Sequence, residues 1–208
     1  GPGPPGLSLA CLSVAVPATR RSLIALAFVA GLVLLGLYSL SRTTGAAGLP
    51  PGGDFTLQSA DGPLALHDLR GRVVLLFFGY TACPGICPTA LMDEAAAFQL
   101  LRPEERERVA GILISVDPER DTPVALKTYV SAIHPQLRGV TGSPAELEAL
   151  ARRYGVVYAR QAADASGQYA VDHSAELYVI APDGRLVARL PQGVSPEAIA
   201  AELRRALR

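Results

Sequence analysis

The sequence predicts an α/β sandwich with a mixed central sheet, preceded by one transmembrane helix. Three observations predict it. An uncharged, almost wholly apolar run fills 22–41. Two short runs, Val73-Val74-Leu75-Leu76-Phe77-Phe78 and Ile112-Leu113-Ile114-Ser115-Val116, lack the alternation of a half-exposed strand, as strands covered on both faces do. Helix-start signals follow these runs, the strongest being Ser143-Pro144-Ala145-Glu146, with a capping Ser, Pro at the first helical position and Glu closing a capping box.

The N-terminal part reads as three segments: 1–21 on the cytoplasmic side, 22–41 as the membrane anchor, and 42–53 as a Gly/Pro/Ala linker. About 20 apolar residues rise about 30 Å as a helix, the thickness of a bilayer core. Arg20 and Arg21 precede the run and only Arg42 follows it closely, so the positive-inside rule exports everything beyond. A signal peptide is the competing reading, with Ala46-Ala47-Gly48 as a cleavage region. Cys11 reads as incidental, because Ser8-Leu9-Ala10 is a poor lipobox and the apolar run follows the cysteine.

A single domain fills 54–208. Phe55 to Gln58 and Leu64 to Leu66 form a hairpin around Ser59-Ala60-Asp61-Gly62-Pro63. After the strand from Val73 to Phe78 come the cysteine segment and a helix from about Pro88 to Leu101. The second buried strand ends at Asp117, and a helix runs from Pro123 to about Ala132. The helix capped by Ser143 runs to Tyr154, where Gly155 stops it, and a short strand follows from Val156 to Arg160. Leu177 to Ile180 and Leu186 to Leu190 are strands joined by Pro182-Asp183-Gly184, and Ser195-Pro196 opens the last helix.

The chain of 208 residues is half apolar, with 19 basic and 19 acidic residues. A neutral chain without a basic block has no footprint for nucleic acid. With one Met and no Trp, it carries no Met-rich ladder for a soft metal. Of its three cysteines, Cys83 and Cys87 lie together in Cys83-Pro84-Gly85-Ile86-Cys87-Pro88, between a buried strand and a helix start. Helix N-terminal amides favour thiolate over thiol, and thiolates are both nucleophiles of disulfide exchange and soft ligands for copper(I). Two sulfurs leave such a site incomplete, so a third ligand is expected from elsewhere. His173, in Val171-Asp172-His173-Ser174 just before a strand, is the candidate. His67 and His134 are expected on the surface or satisfied by hydrogen bonds. A purely structural disulfide is the bland alternative for the cysteine pair, but closing so short a loop stabilises a domain little.

Three blocks carry a resemblance to the Sco/SenC family of copper proteins that serve cytochrome c oxidase assembly. They are Gly79-Tyr80-Thr81-Ala82-Cys83-Pro84-Gly85-Ile86-Cys87-Pro88, then Ser115-Val116-Asp117-Pro118-Glu119-Arg120-Asp121-Thr122, then Val171-Asp172-His173-Ser174 with Tyr178-Val179-Ile180-Ala181-Pro182-Asp183-Gly184. The resemblance implies a thioredoxin-like fold and copper (Cu+ or Cu2+) bound by Cys83, Cys87 and His173; the anchor and its flanking charges read as an inner-membrane protein with its domain on the periplasmic or extracytoplasmic side. The resemblance also implies work on cytochrome c oxidase subunit II, either delivering copper to the binuclear copper A centre or keeping that centre's cysteines reduced, with a copper donor or thiol reductant as a further partner. One departure is visible: Gly85 stands where family members often carry Asp.

Asp117 and Asp121 read as caps of the turn after their strand. Asp172 as a partner that orients His173 is open, since neighbouring strand residues face opposite ways. Tyr80 reads as a wall of the site. The competing function is a thiol–disulfide oxidoreductase in which Cys83 attacks and Cys87 resolves. Against a general oxidoreductase stand the three residues between the cysteines, where two are usual, and the lack of a proline near His173. A peroxiredoxin-like peroxidase is the weakest reading, because no peroxidatic Pro-x-x-x-Thr-x-x-Cys motif is present. For an exported domain, Cys83 and Cys87 are expected to form a disulfide when copper is absent.

Overall fold

The computed structural model describes residues 48–208. The segment 1–21, the anchor at 22–41, Cys11 and the first half of the linker therefore lie outside the described residues. Among those described, no helix is long and apolar enough to cross a membrane.

The domain opens with the expected hairpin, β1 (Thr56–Ser59) against β2 (Gly62–Ala65), followed by a 3-10 turn at Leu66–Leu69. The main sheet contains β3 (Val73–Gly79), β4 (Val109–Ser115), β5 (Leu137–Val140), β8 (Leu177–Ile180) and β9 (Leu186–Leu190), in the order β5-β4-β3-β8-β9. Strands β3, β4 and β5 run parallel, while β8 and β9 add an antiparallel edge. Every residue of β3 and β4 is buried, as their unbroken apolar runs require.

Successive strand residues face opposite sides, and β3 uses both. Phe78 meets Tyr154 and Tyr178 with ring centroids 5.8 and 5.7 Å apart, so α4 (Pro144–Tyr154) covers that face. Phe77 and Gly79 face the other side, toward Cys87 in α1 (Ile86–Leu100). Helix α5 (Pro196–Ala206) packs along α1, and α3 (Pro123–Ile133) packs on β5. The α4 start forms the predicted capping box: Ser143 Oγ accepts from Glu146 N–H, and Glu146 Oε2 accepts from Ser143 N–H at 2.8 Å. Its end is set by Gly155 in the left-handed region, φ +67°.

Several elements differ from the sequence reading. Helix α1 begins at Ile86, so Cys87 sits in its first turn. The edge strand β5 was not expected, because Leu137-Arg138-Gly139-Val140 is short and centred on glycine. Gly139 is needed there, as a Cβ would stand 2.6 Å from Leu126 of α3. The strand after Gly155 shortens to β6 (Tyr158–Arg160) and pairs with β7 (Val171–His173) in a separate two-stranded ribbon. A single-turn helix, α2 (Pro103–Arg106), completes the set.

One core residue breaks the apolar rule. Glu94 of α1 is fully buried against Gly111 of β4, and neither carboxylate oxygen has a hydrogen-bond partner. Burial holds its pKa well above the ordinary carboxylate value, so the folded state keeps a proton that the unfolded chain releases. Stability then falls as pH rises from the ordinary carboxylate range toward the raised folded value. Glu94→Met is expected to stabilise the domain by about 1–3 kcal/mol at neutral pH, with a gain that shrinks toward pH 4. Urea unfolding at several pH values checks this, and a gain independent of pH would contradict it.

Candidate metal centre

The site sits where the C-terminal end of β3 meets the start of β8. Phe77 pairs with Leu177 in that antiparallel ladder, so residues just before β8 lie beside the loop leaving β3. This brings His173 to the cysteines across 86 residues of sequence. One sulfur each from Cys83 and Cys87 and one nitrogen of His173 all lie within 4.8 Å of one another. Cys87 Sγ stands 3.2 Å from His173 Nε2.

The histidine is oriented by its other nitrogen. Nδ1 lies 3.1 Å from the Ser174 carbonyl, which can only accept, so Nδ1 carries the proton. Nε2 is left with its lone pair turned to the sulfurs, the arrangement of a ligating imidazole. Asp172 takes no part, since its carboxylate pairs with Gln161. The ring is held edge-on by Phe77 and Tyr80, at centroid distances of 5.9 and 5.8 Å. Tyr80 is thus a wall, as read from sequence, and its hydroxyl also accepts from Val171 N–H at 3.2 Å.

The two thiols are unlike. Cys87 is fully buried, and that burial pushes its thiol far up, with Cys83 adding to the shift. Cys83 is half-buried, which also works against its ionisation. Hydrogen bonds from the Cys87 thiol and from the N–H groups of Gly85, Cys87 and Ile86 outweigh that burial, so its pKa lies below the ordinary thiol value. The helix N-terminus therefore favours a thiolate at Cys83, as its position in the sequence predicts. Both cysteines are free thiols in this structure.

Asp121 does more than cap a turn. It is fully buried and accepts from Thr81 N–H at 2.9 Å, from Thr81 Oγ1 and from Ser115 Oγ at 2.6 Å, fastening the cysteine loop to the end of β4. Asp117 accepts from the Arg120 side chain and from Tyr169. His134 and His67 stay outside the site: His134 bonds Gln99 and Gln136, and the exposed His67 lies by Asp68. Sequence reasoning missed Gly79, whose Cβ would stand 2.9 Å from Cys87 Sγ. A glycine ending a buried strand before a cysteine loop was the available signal.

Two thiolate donors and one imidazole make a soft set that accommodates copper(I) and, through the imidazole, copper(II). The group has three members among the described residues, whereas structural zinc sites almost always have four.

Comparison with known proteins agrees with this chemistry. The SCO1/SenC family profile matches residues 44–208. The chain is 41% identical over 137 residues to the mitochondrial SCO1 homolog 1 of Arabidopsis thaliana, covering 65% of this chain and 41% of that protein. It thus spans less than two thirds of that relative's length. The structure of Bradyrhizobium japonicum ScoI with copper bound matches with a TM-score of 0.68 and 38% identity, over 75% of this chain and 99% of that one. BsSco, described as carrying a disulfide switch and as a member of the Sco family of cytochrome c oxidase assembly proteins, matches with a TM-score of 0.58 and 26% identity, over 76% and 94% of the chains.

Two predictions follow from the geometry. In reduced, metal-free protein, iodoacetamide should modify Cys83 well before Cys87, because Cys83 is both more exposed and more readily ionised. Peptide mapping after partial alkylation reads the order, and equal labelling would overturn the assignment. Gly79→Ala should cost about 1–3 kcal/mol, the usual range for overpacking a filled core, and should displace the Cys87 sulfur. Thermal melting and copper affinity, measured together, check it.

Proposed function

The chain belongs to the SCO1/SenC family, and on that premise we propose that it is a copper chaperone serving cytochrome c oxidase assembly. One copper ion is held by Cys83 Sγ, Cys87 Sγ and His173 Nε2. The observation that carries the reading is the convergence of these three donors within 4.8 Å, with the Nε2 lone pair already facing the sulfurs. The copper-bound ScoI structure supports it from outside.

The asymmetry of the thiols suits a carrier. Metal is handed on through shared ligands, so an acceptor's thiolate has to reach the ion while one donor lets go. Cys83, half-exposed at the loop's rim, faces that exchange, while the buried Cys87 and the half-buried His173 retain the ion until the acceptor has engaged. The acceptor in this reading is the copper A site of oxidase subunit II. The segment 22–41 anchors the chain in the inner membrane, with 54–208 on the extracytoplasmic side. There Cys83 and Cys87 pass to a disulfide when no copper is bound, so loading requires a thiol reductant.

A specific observation favours a second reading. A thiol of lowered pKa beside a buried partner thiol is the layout of an attacking and a resolving cysteine. In that reading Cys83 and Cys87 pass to a disulfide as they reduce a disulfide between the oxidase's copper-site cysteines to two thiols, and the disulfide switch described for BsSco accords with it.

Anaerobic titration of the reduced protein with copper(I) and copper(II) separates these readings. Wild type should bind one equivalent of either. Cys83→Ser and Cys87→Ser should lose copper(I), and His173→Ala should lose the visible copper(II) spectrum. Unchanged affinity and spectrum in His173→Ala would remove the three-ligand site. Turnover of a generic disulfide by metal-free protein at thioredoxin-like rates would favour the reductase.

A further inference from the structure

The block from Ser115 to Thr122 supplies none of the three donors, yet its side chains reach both halves of the centre. Asp121 holds the cysteine side: it accepts from both the N–H and the hydroxyl of Thr81, two residues before Cys83, and from Ser115 Oγ. Arg120 and Asp117 hold the histidine side through Tyr169, four residues before His173. The Arg120 guanidinium lies 3.7 Å from the centroid of the Tyr169 ring, donates to the Tyr169 carbonyl at 2.9 Å and pairs with Asp117. The Tyr169 hydroxyl donates to the second oxygen of Asp117 at 2.8 Å. Arg160, paired with Glu119 at 2.5 Å, also stacks 3.7 Å from the ring, necessarily on its other face.

This clamp matters because of where His173 resides. The β6–β7 ribbon is not hydrogen-bonded into the five-stranded sheet, and an isolated pair of strands is marginally stable at best. A ligand on such a ribbon would swing unless the ribbon were docked. Val171 anchors the ribbon in the core and its N–H bonds Tyr80, and the Tyr169 clamp adds the polar hold on the side of the turn. We propose that the Asp117–Arg120–Asp121 turn is the positioning bracket of the metal centre, setting the distance and orientation of the His173 imidazole relative to the cysteine sulfurs through Thr81 on one side and Tyr169 on the other. The inference rests on the three-ligand reading and deepens it. Arg120, Asp117, Asp121 and Tyr169 touch no metal, so each is a positioning residue.

The fork of the guanidinium is essential to this role. It contacts Asp117, a carbonyl and a ring at once, which a lysine ammonium cannot do. Arg120→Lys should therefore act like loss of the clamp.

The test uses the full chain in detergent, with Tyr169→Ala, Arg120→Lys and Asp121→Asn, and with Arg185→Gln on the β8–β9 turn as a control. The first readout needs no metal. Long-range nitrogen–proton correlations of the reduced protein report the His173 tautomer, and wild type should show the Nδ1–H form alone. Tyr169→Ala and Arg120→Lys should show mixed tautomers with a melting temperature close to wild type. The second readout is copper binding, where the clamp variants should lose about 10- to 100-fold, the range for residues that orient a ligand, with an altered copper(II) spectrum. Should Asp121→Asn fail to fold, Thr81→Val removes the hydroxyl bond to Asp121 and leaves the backbone one in place. If wild type binds no copper but the clamp variants still scramble the tautomer, the bracket stands and the copper reading falls. Clamp variants that keep both the wild-type tautomer and the wild-type copper affinity would overturn the proposal.

Discussion

The site depends on the approach of one imidazole nitrogen to one buried sulfur, at 3.2 Å and across 86 residues of chain. Both partners lose water to make it, and each is held by backbone. Cys87 is fixed in the first turn of α1, where the helix itself sets the sulfur's position. The Ser174 carbonyl fixes the imidazole's proton on Nδ1 and so decides which nitrogen faces inward. If the carbonyl turned away, the ring would be free to present N–H to the sulfurs and would no longer offer them a lone pair.

Sheet topology makes the approach possible. Strands β3 and β4 are parallel, with Gly79 opposite Ser115, so the segments leaving them emerge at one end of the sheet. Strand β8 runs antiparallel to β3, so the segment entering it arrives at that same end. The cysteine loop, the Asp117–Asp121 turn and the histidine ribbon are neighbours for this reason alone. Three sequence-distant blocks become one site because a mixed sheet places two exits beside an entrance.

Much of this was legible in the sequence, and the illegible part has a physical pattern. The buried strands announced themselves by unbroken apolar runs, and α4 by a full capping box. Cysteines at a strand-to-helix junction marked a thiolate site. What could not be read was whatever depends on a neighbour supplied by tertiary structure. Strand β5 has weak strand chemistry and exists because β4 offers it a free edge and because Gly139 lets α3 lie close. The strand that carries His173 looked like a loop, since three residues carry no periodicity. Asp121 looked like a turn cap, because its local backbone bonds are visible in sequence and its bonds to Thr81 are not.

Gly85 stands exposed in the cysteine loop. A Cβ at this position would meet nothing within 4 Å, so the space admits a larger side chain, an Asp included. Packing therefore does not impose the glycine, and its consequence is electrostatic. A carboxylate beside Cys83 would oppose the thiolate that the Gly85, Ile86 and Cys87 N–H groups stabilise. With glycine, those amides act on Cys83 without a neighbouring negative charge in the loop. The more exposed thiol is then the more nucleophilic and the better soft donor.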